Sequence, residues 1–195
     1  LGVVGLASGR WLFRTLGEMP PFLVLIAAVP AAGLAILVVV LDRHEREPVA
    51  ALAAAFFWGA AVATWFASVA NARLVAAWAR DFPSTDASAW VQAYGAPVVE
   101  EVAKGAALLL LVGLGRGELA GALDGLVYGA LVGIGFSLTE NVNYFFLAAF
   151  QGGTTGLVRA VYLRAVLAGW NHAVFTAATG VGIGLALGLT SAFFL

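Results

Sequence analysis

The 195-residue chain has no cysteine, one methionine and little charge. Without cysteine there is no disulfide, no thiolate metal ligand and no cysteine nucleophile. Charged residues make up 11% of the chain, against about a quarter in a soluble domain. The net charge is −1 and no Lys/Arg cluster occurs, so the sequence lacks the electrostatic footprint of a nucleic-acid binder. What fills the chain instead is apolar: 62% of its residues, with a mean hydropathy of +0.96. That composition predicts a multi-pass integral membrane protein, one domain over residues 1–195. The opening "LGVVGLASGRWLFRTLGEMPP" is no signal peptide, because its apolar part is short and its positive charges follow it. It reads as an interfacial segment or the end of a further helix.

A helix needs roughly 20 apolar residues to cross a hydrocarbon layer about 30 Å thick. Five such segments are predicted, at 22–41, 49–80, 90–114, 119–150 and 160–190. They are separated by the charged turn "DRHEREP", by "DFPSTDASA", by "GRGE" and by "QGGTTG". The stretch from Leu157 is too long for one straight span. It divides into a short surface helix with Arg159 and Arg164 as interface anchors, then a crossing helix around His172. Isolated strands cannot satisfy their backbone in lipid, so the fold class is all-α, a transmembrane bundle of five or more helices. Gly125, Gly129 and Gly133 lie four apart, as do Gly180, Gly184 and Gly188, a spacing that lets helix backbones approach closely. The side of the N-terminus carries Arg10, Arg14, Arg80, Arg159 and Arg164 against Arg43, Arg46 and Arg116 opposite, which favours a cytoplasmic N-terminus.

Against this background the polar residues inside the spans stand out. They are Glu100, Glu101, Lys104, Glu140, Asn141, Asn143 and His172, with Asn71 and Arg73 in the second helix. A central charge costs roughly 2.5–3.5 kcal/mol on insertion scales, so these groups must pair, neutralise or bind something. At about 1.5 Å rise per residue, Glu100 lies about 15 Å below the surface at Trp90, and Glu140 about 15 Å below the same surface at Phe150. A fifth helix entering at Arg159 or Arg164 brings His172 roughly 12–20 Å down. Asn71 reaches a similar depth. Asp124, about 24 Å from Glu140 along its helix, reads instead as a residue of the helix start. His44 sits in a charged loop and reads as solvated. Glu100 and Glu101 point about 100° apart, with Lys104 placed to pair with either, so one carboxylate is held and the other is turned to the site.

Carboxylates and an imidazole at one buried level support several chemistries. Glu100, Glu101, Glu140 and His172 are ligand types for zinc or another divalent metal, with an open position for water. The same groups can activate water without metal. Either route is hydrolysis. A proton or cation pathway through a transporter is a third use, and a helix-pairing scaffold a fourth.

"EEVAK" (Glu100, Glu101, Lys104), "GFSLTEN" (Phe136, Glu140, Asn141) and "HAVFT" (His172, Thr176) follow in that order on successive helices. Together they resemble the PrsW family of intramembrane proteases, over a motif-bearing core of about residues 90 to 190. The related CAAX-processing peptidases carry Glu-Glu followed by Arg, and His where Glu140 stands; this chain departs from both. The resemblance implies an intramembrane endopeptidase in a bacterial or archaeal cell membrane. It implies a single-pass membrane protein or membrane-associated peptide as substrate, with the lipid bilayer around it and no nucleic acid. It implies catalytic roles for Glu100, Glu101, Lys104, Glu140, Asn141 and His172, and leaves metalloprotease and metal-free glutamate chemistry both open.

Overall fold

The computed structural model describes residues 19–44, 47–113, 119 and 121–193, together with 14 and 17; side chains are described to residue 188, His44's excepted. The described residues are helical, with no strand among them. Helix α1 spans Pro21–Leu41, with Pro20 at its N-cap and Pro21 in its first turn, where a missing N–H costs nothing. Helix α2 spans Val49–Asp81 and starts after Pro48. Helix α3 runs over 87–113 and is capped by Asp86, whose carboxylate accepts from the Ala89 N–H at 3.0 Å. Helix α4 is Ala122–Val161 and helix α5 is Asn171–Phe193.

Among the described residues, three helical runs are long and apolar enough to cross a membrane: Pro21–Leu41, Val49–Asp81 and Ala122–Gly188. The Ala96–Gly113 part of α3 has 18 residues but holds Glu100, Glu101 and Lys104. Ala122–Gly188 is no straight rod. Gly153 takes a positive φ of 56°, a conformation that costs glycine little, and the chain turns back there. Leu157, Ala160, Val161 and Ala165 then pack against the Val142 and Phe145 that precede the turn. The surface helix expected around Arg159 and Arg164 is therefore a packed return leg. It ends in a break at Ala168–Trp170, after which α5 continues antiparallel to the first half of α4.

The seam between α4 and α5 is built from glycine. A Cβ on Gly125 would land on the Gly180 carbonyl, one on Gly129 on the Thr176 carbonyl, and one on Gly133 on the His172 carbonyl. The expected small-residue packing holds at these positions and at Gly184, but a Cβ on Gly188 would meet nothing. The core lies around α4, where Val127, Tyr128, Leu131, Val132 and Ile134 are buried with Leu108 of α3 and Leu52 of α2.

Among the described residues, three π-helical turns interrupt the helices, at Trp58–Ala63, Val91–Gly95 and Tyr162–Leu167. Such turns free backbone carbonyls and occur often at functional sites. In the first, the Gly59 carbonyl accepts from the Thr64 hydroxyl at 2.7 Å, and the Ala60 carbonyl from the Thr139 hydroxyl of α4 at 2.8 Å. Trp58 also donates to the Ala103 carbonyl of α3 at 3.0 Å. These ties fix α2, α3 and α4 beside one another at the level of Glu140. Asp124 accepts from the Gly121 N–H at 2.9 Å, the helix-start role expected of it. Arg10, Arg46 and Arg116 of the charge comparison lie outside the described residues.

Candidate active site

The depth read from helical rise is met in three dimensions. One ligand atom from each of Glu100, Glu140 and His172 lies within 4.8 Å of the others. Each comes from a different helix: α3, α4 and α5. The glycine seam sets the height of His172 on α5, one residue of which sits against Gly133 of α4.

Around this trio the remaining polar groups form a connected network. Lys104 is fully buried, a position no lone ammonium tolerates. It forms an ion pair with Glu101 and sits 2.9 Å from His172 Nδ1. Its Nζ also lies 4.4 Å above the Phe136 ring. Glu101 accepts in addition from the Thr176 hydroxyl at 3.2 Å. The two adjacent glutamates thus divide as expected: Glu101 is held by Lys104, and Glu100 joins Glu140 and His172. Of the four residues expected as metal ligands, Glu101 lies outside the group that converges, although it borders the same cavity.

An ammonium can only donate, so Nδ1 of His172 accepts from Lys104. The ring proton is then on Nε2, which donates to Glu140 Oε2 at 2.9 Å. Glu140 Oε2 also accepts from Arg164 Nη2 at 2.6 Å, while Arg164 Nε donates to Asn141 Oδ1 at 3.0 Å. The guanidinium lies 3.7 Å over the Tyr144 ring. Arg164 is therefore no interface anchor: the reversal at Gly153 carries it inward, onto the carboxylate. The sequence marks the turn at "QGGTTG" but not that the chain packs straight back into the bundle from Gly153, so Arg164 reads there as a surface residue. The Asn141 amide nitrogen gives one of its two hydrogens to Ser137 Oγ at 3.2 Å.

Two cavities meet at Glu100. One, of about 250 Å³, lies between α3, α4, the return leg and α5, and is bordered by Glu101, Asn141, Arg164 and His172. The other, of about 390 Å³, lies between α2, α3 and α4, and is bordered by Glu140, Asn143 and Asn71. Arg73, the other polar residue of α2, borders neither.

Two carboxylates and one imidazole within reach of a single point fit a divalent cation with a position left open.

An all-helical apolar chain that gathers two carboxylates, an imidazole and an amide around cavities has the parts of a membrane-embedded hydrolase. The family follows from the sequence match. The model of the PrsW family intramembrane metalloproteases matches residues 47–193, and the chain belongs to that family. The match starts at the head of α2, well before the 90–190 core that carries the motifs. Among curated proteins and among solved structures, none matches the chain.

Proposed function

We propose that the chain is an intramembrane endopeptidase that hydrolyses a peptide bond of a membrane-associated protein, a single-pass protein being the simplest substrate. The observation that carries this reading is the convergence of Glu100, Glu140 and His172 on one point beside two cavities. Glu100 acts as general base. Among the described residues no hydrogen bond engages its carboxylate, so it is free to take a proton from water as the water oxygen bonds to the scissile carbonyl carbon. The same carboxyl returns that proton to the leaving amide nitrogen. Glu140 and His172 hold the water, and Arg164 orients Glu140. The second N–H of Asn141 donates to the developing oxyanion. Glu101 and Lys104 are positioning residues that set the His172 ring. When zinc or another divalent cation is bound, Glu100, Glu140 and His172 would hold it, and the chemistry it supplies is acidification of a bound water.

In this reading residues 1–195 form one domain that crosses the membrane five times: α1, α2, α3, the first leg of α4, and the return leg with α5. With Arg164 withdrawn into the site, Arg14, Arg80 and Arg159 remain on the N-terminal side among the described residues, against Arg43 opposite. That balance still favours a cytoplasmic N-terminus, in a bacterial or archaeal cell membrane, with the site opening toward the cytoplasmic half.

Elemental mass spectrometry of the purified protein tests the metal question without a substrate. Near-stoichiometric zinc that is lost in Glu140→Gln and His172→Ala supports the metal-holding site. A metal-free protein that still cleaves, and stops cleaving as Glu100→Gln, supports carboxylate-activated water. Undiminished cleavage of a validated substrate by Glu100→Gln refutes the mechanism.

A further inference from the structure

Not all the intramembrane polar residues belong to the network around His172. On α2, Thr64, Ser68 and Asn71 follow one another at steps of three and four, which puts them on one face. On α3, Ser88 and Gln92 precede Glu100 along a similar line. On α4, Asn143 lies one turn beyond Glu140. All of them border the 390 Å³ cavity between the three helices. Its inner end is Glu100 and Glu140. Its outer end is Ser88, an exposed residue just past the 82–86 loop.

Two observations say what this space holds. Asn71 Oδ1 is buried and has no hydrogen-bond partner among the described residues. A buried amide oxygen gives up its hydration unless something donates to it, and an ordered water is the usual donor in a roomy polar cavity. The other faces of the same helices are different in kind. There Trp58, Val62, Phe66, Val102 and Ala106 line a 240 Å³ groove with no polar surface. A helix bundle that confines polar side chains to one internal stripe, and leaves its outer face apolar, separates a wet space from lipid.

We propose that the cavity between α2, α3 and α4 is an aqueous vestibule. It carries water from the side of the 82–86 loop to Glu100 and Glu140, with Asn71 as a hydrogen-bonding station on its wall. Its purpose rests on the proposed hydrolysis, since each cleaved bond consumes one water. Its existence does not, and can be tested alone.

The absence of cysteine makes single-cysteine labelling unambiguous. Ser68→Cys and, about one turn shallower, Asn71→Cys are compared with Phe66→Cys and Val102→Cys, which are on the apolar face at about the depth of Ser68. Each variant, in vesicles of both orientations, reacts with a charged, membrane-impermeant thiosulfonate; Thr85→Cys in the loop reports which face is which. A thiol reacts as its thiolate, which forms in water and not in hydrocarbon, so Asn71→Cys and Ser68→Cys should label at least ~10-fold faster than the two apolar-face variants. Labelling should come only from the face that labels Thr85→Cys. Equal rates at positions 71 and 66, or labelling from the opposite face, overturn the vestibule. If Asn71→Cys does not fold, Ser68→Cys decides by the same comparison. No labelling at these positions, with cleavage abolished in Glu100→Gln, keeps the hydrolysis and discards this route for water. Fast labelling with cleavage intact in Glu100→Gln does the reverse.

Discussion

Replacing Lys104 by methionine is the sharpest test of the network. Methionine matches the length and apolar stem of lysine and removes only the ammonium. The structure gives that ammonium two partners, Glu101 and His172 Nδ1, inside a site where Lys104 itself is fully buried. Each charge-assisted bond is worth about 1.5–3 kcal/mol, and the loss leaves a carboxylate without its counter-charge. Breaking a buried pair by removing one partner costs about 3–5 kcal/mol. The Glu101 side chain is 33% exposed, so some of its hydration is recovered and the expectation moves to the lower end, about 3 kcal/mol. The double variant Lys104→Met/Glu101→Leu removes both charges and should recover at least ~1 kcal/mol of that loss, because the stranded carboxylate is gone. The assay is reversible unfolding by SDS titration in mixed micelles, followed by tryptophan fluorescence, for the wild type, both single variants and the double. A loss below ~1 kcal/mol in Lys104→Met, or strict additivity in the double, would show that Lys104 does not hold this pair.

Arg164→Lys keeps a cation but not the planar fork that reaches Glu140 and Asn141 together. It should lower cleavage roughly 10- to 100-fold with little change in unfolding free energy, measured on one substrate at saturating concentration. Gly129→Ala puts a methyl group onto the Thr176 carbonyl and should wedge α4 from α5, costing about 1–3 kcal/mol in the same SDS titration. Glu47, in the loop between α1 and α2, accepts from the buried Tyr128 hydroxyl at 2.7 Å, yet desolvation and nearby Asp124 and Asp42 hold its carboxyl above the usual range. A carboxyl raised by folding stabilises the fold in acid and loses that contribution as pH rises through its folded value. Glu47→Gln should therefore flatten the fall in stability that begins at the ordinary carboxylate value and ends as pH passes the raised folded one, and an unchanged pH profile would remove Glu47 as its source.

The helices and the site were legible in the sequence for the same reason. In an apolar chain a charged residue is conspicuous, and helical rise turns its position into a depth. Glu100, Glu140 and His172 could thus be set at one level before any packing was known. That Lys104 would hold one of Glu100 and Glu101 also followed from their spacing, but not which one, because Lys104 is placed to pair with either. Arg164 escaped this reasoning. Its depth depends on where the chain re-enters the bundle after Phe150, and the sharp turn at the positive φ of Gly153 starts that return before Arg159, where the hydropathy pattern suggests a surface helix. The vestibule was hidden differently. Ser68 and Gln92 are each unremarkable in a helix and Asn71 stands out only by its depth, and their joint meaning comes from the alignment of three helices on one space. The π-helical turns, which tie α2 to α4 beside Glu140, have no sequence signature in this chain at all.

The glycine seam acts as a ruler for the chemistry. Gly133 rests against the His172 carbonyl, and Glu140 stands seven residues further along the same helix. Sliding α5 by one helical turn along α4 would displace His172 by about 5.4 Å, well beyond the reach of Glu140. One residue inserted between Gly133 and Glu140 would turn the carboxylate about 100° away from its partners while leaving every seam contact intact. Residues added at the Gly152–Gly153 turn would do neither, because the break at Ala168–Trp170 gives the return leg slack before α5 begins. The chain can therefore vary in length at its turn and still keep its reactive groups aligned, provided the spacing from seam to carboxylate stays the same.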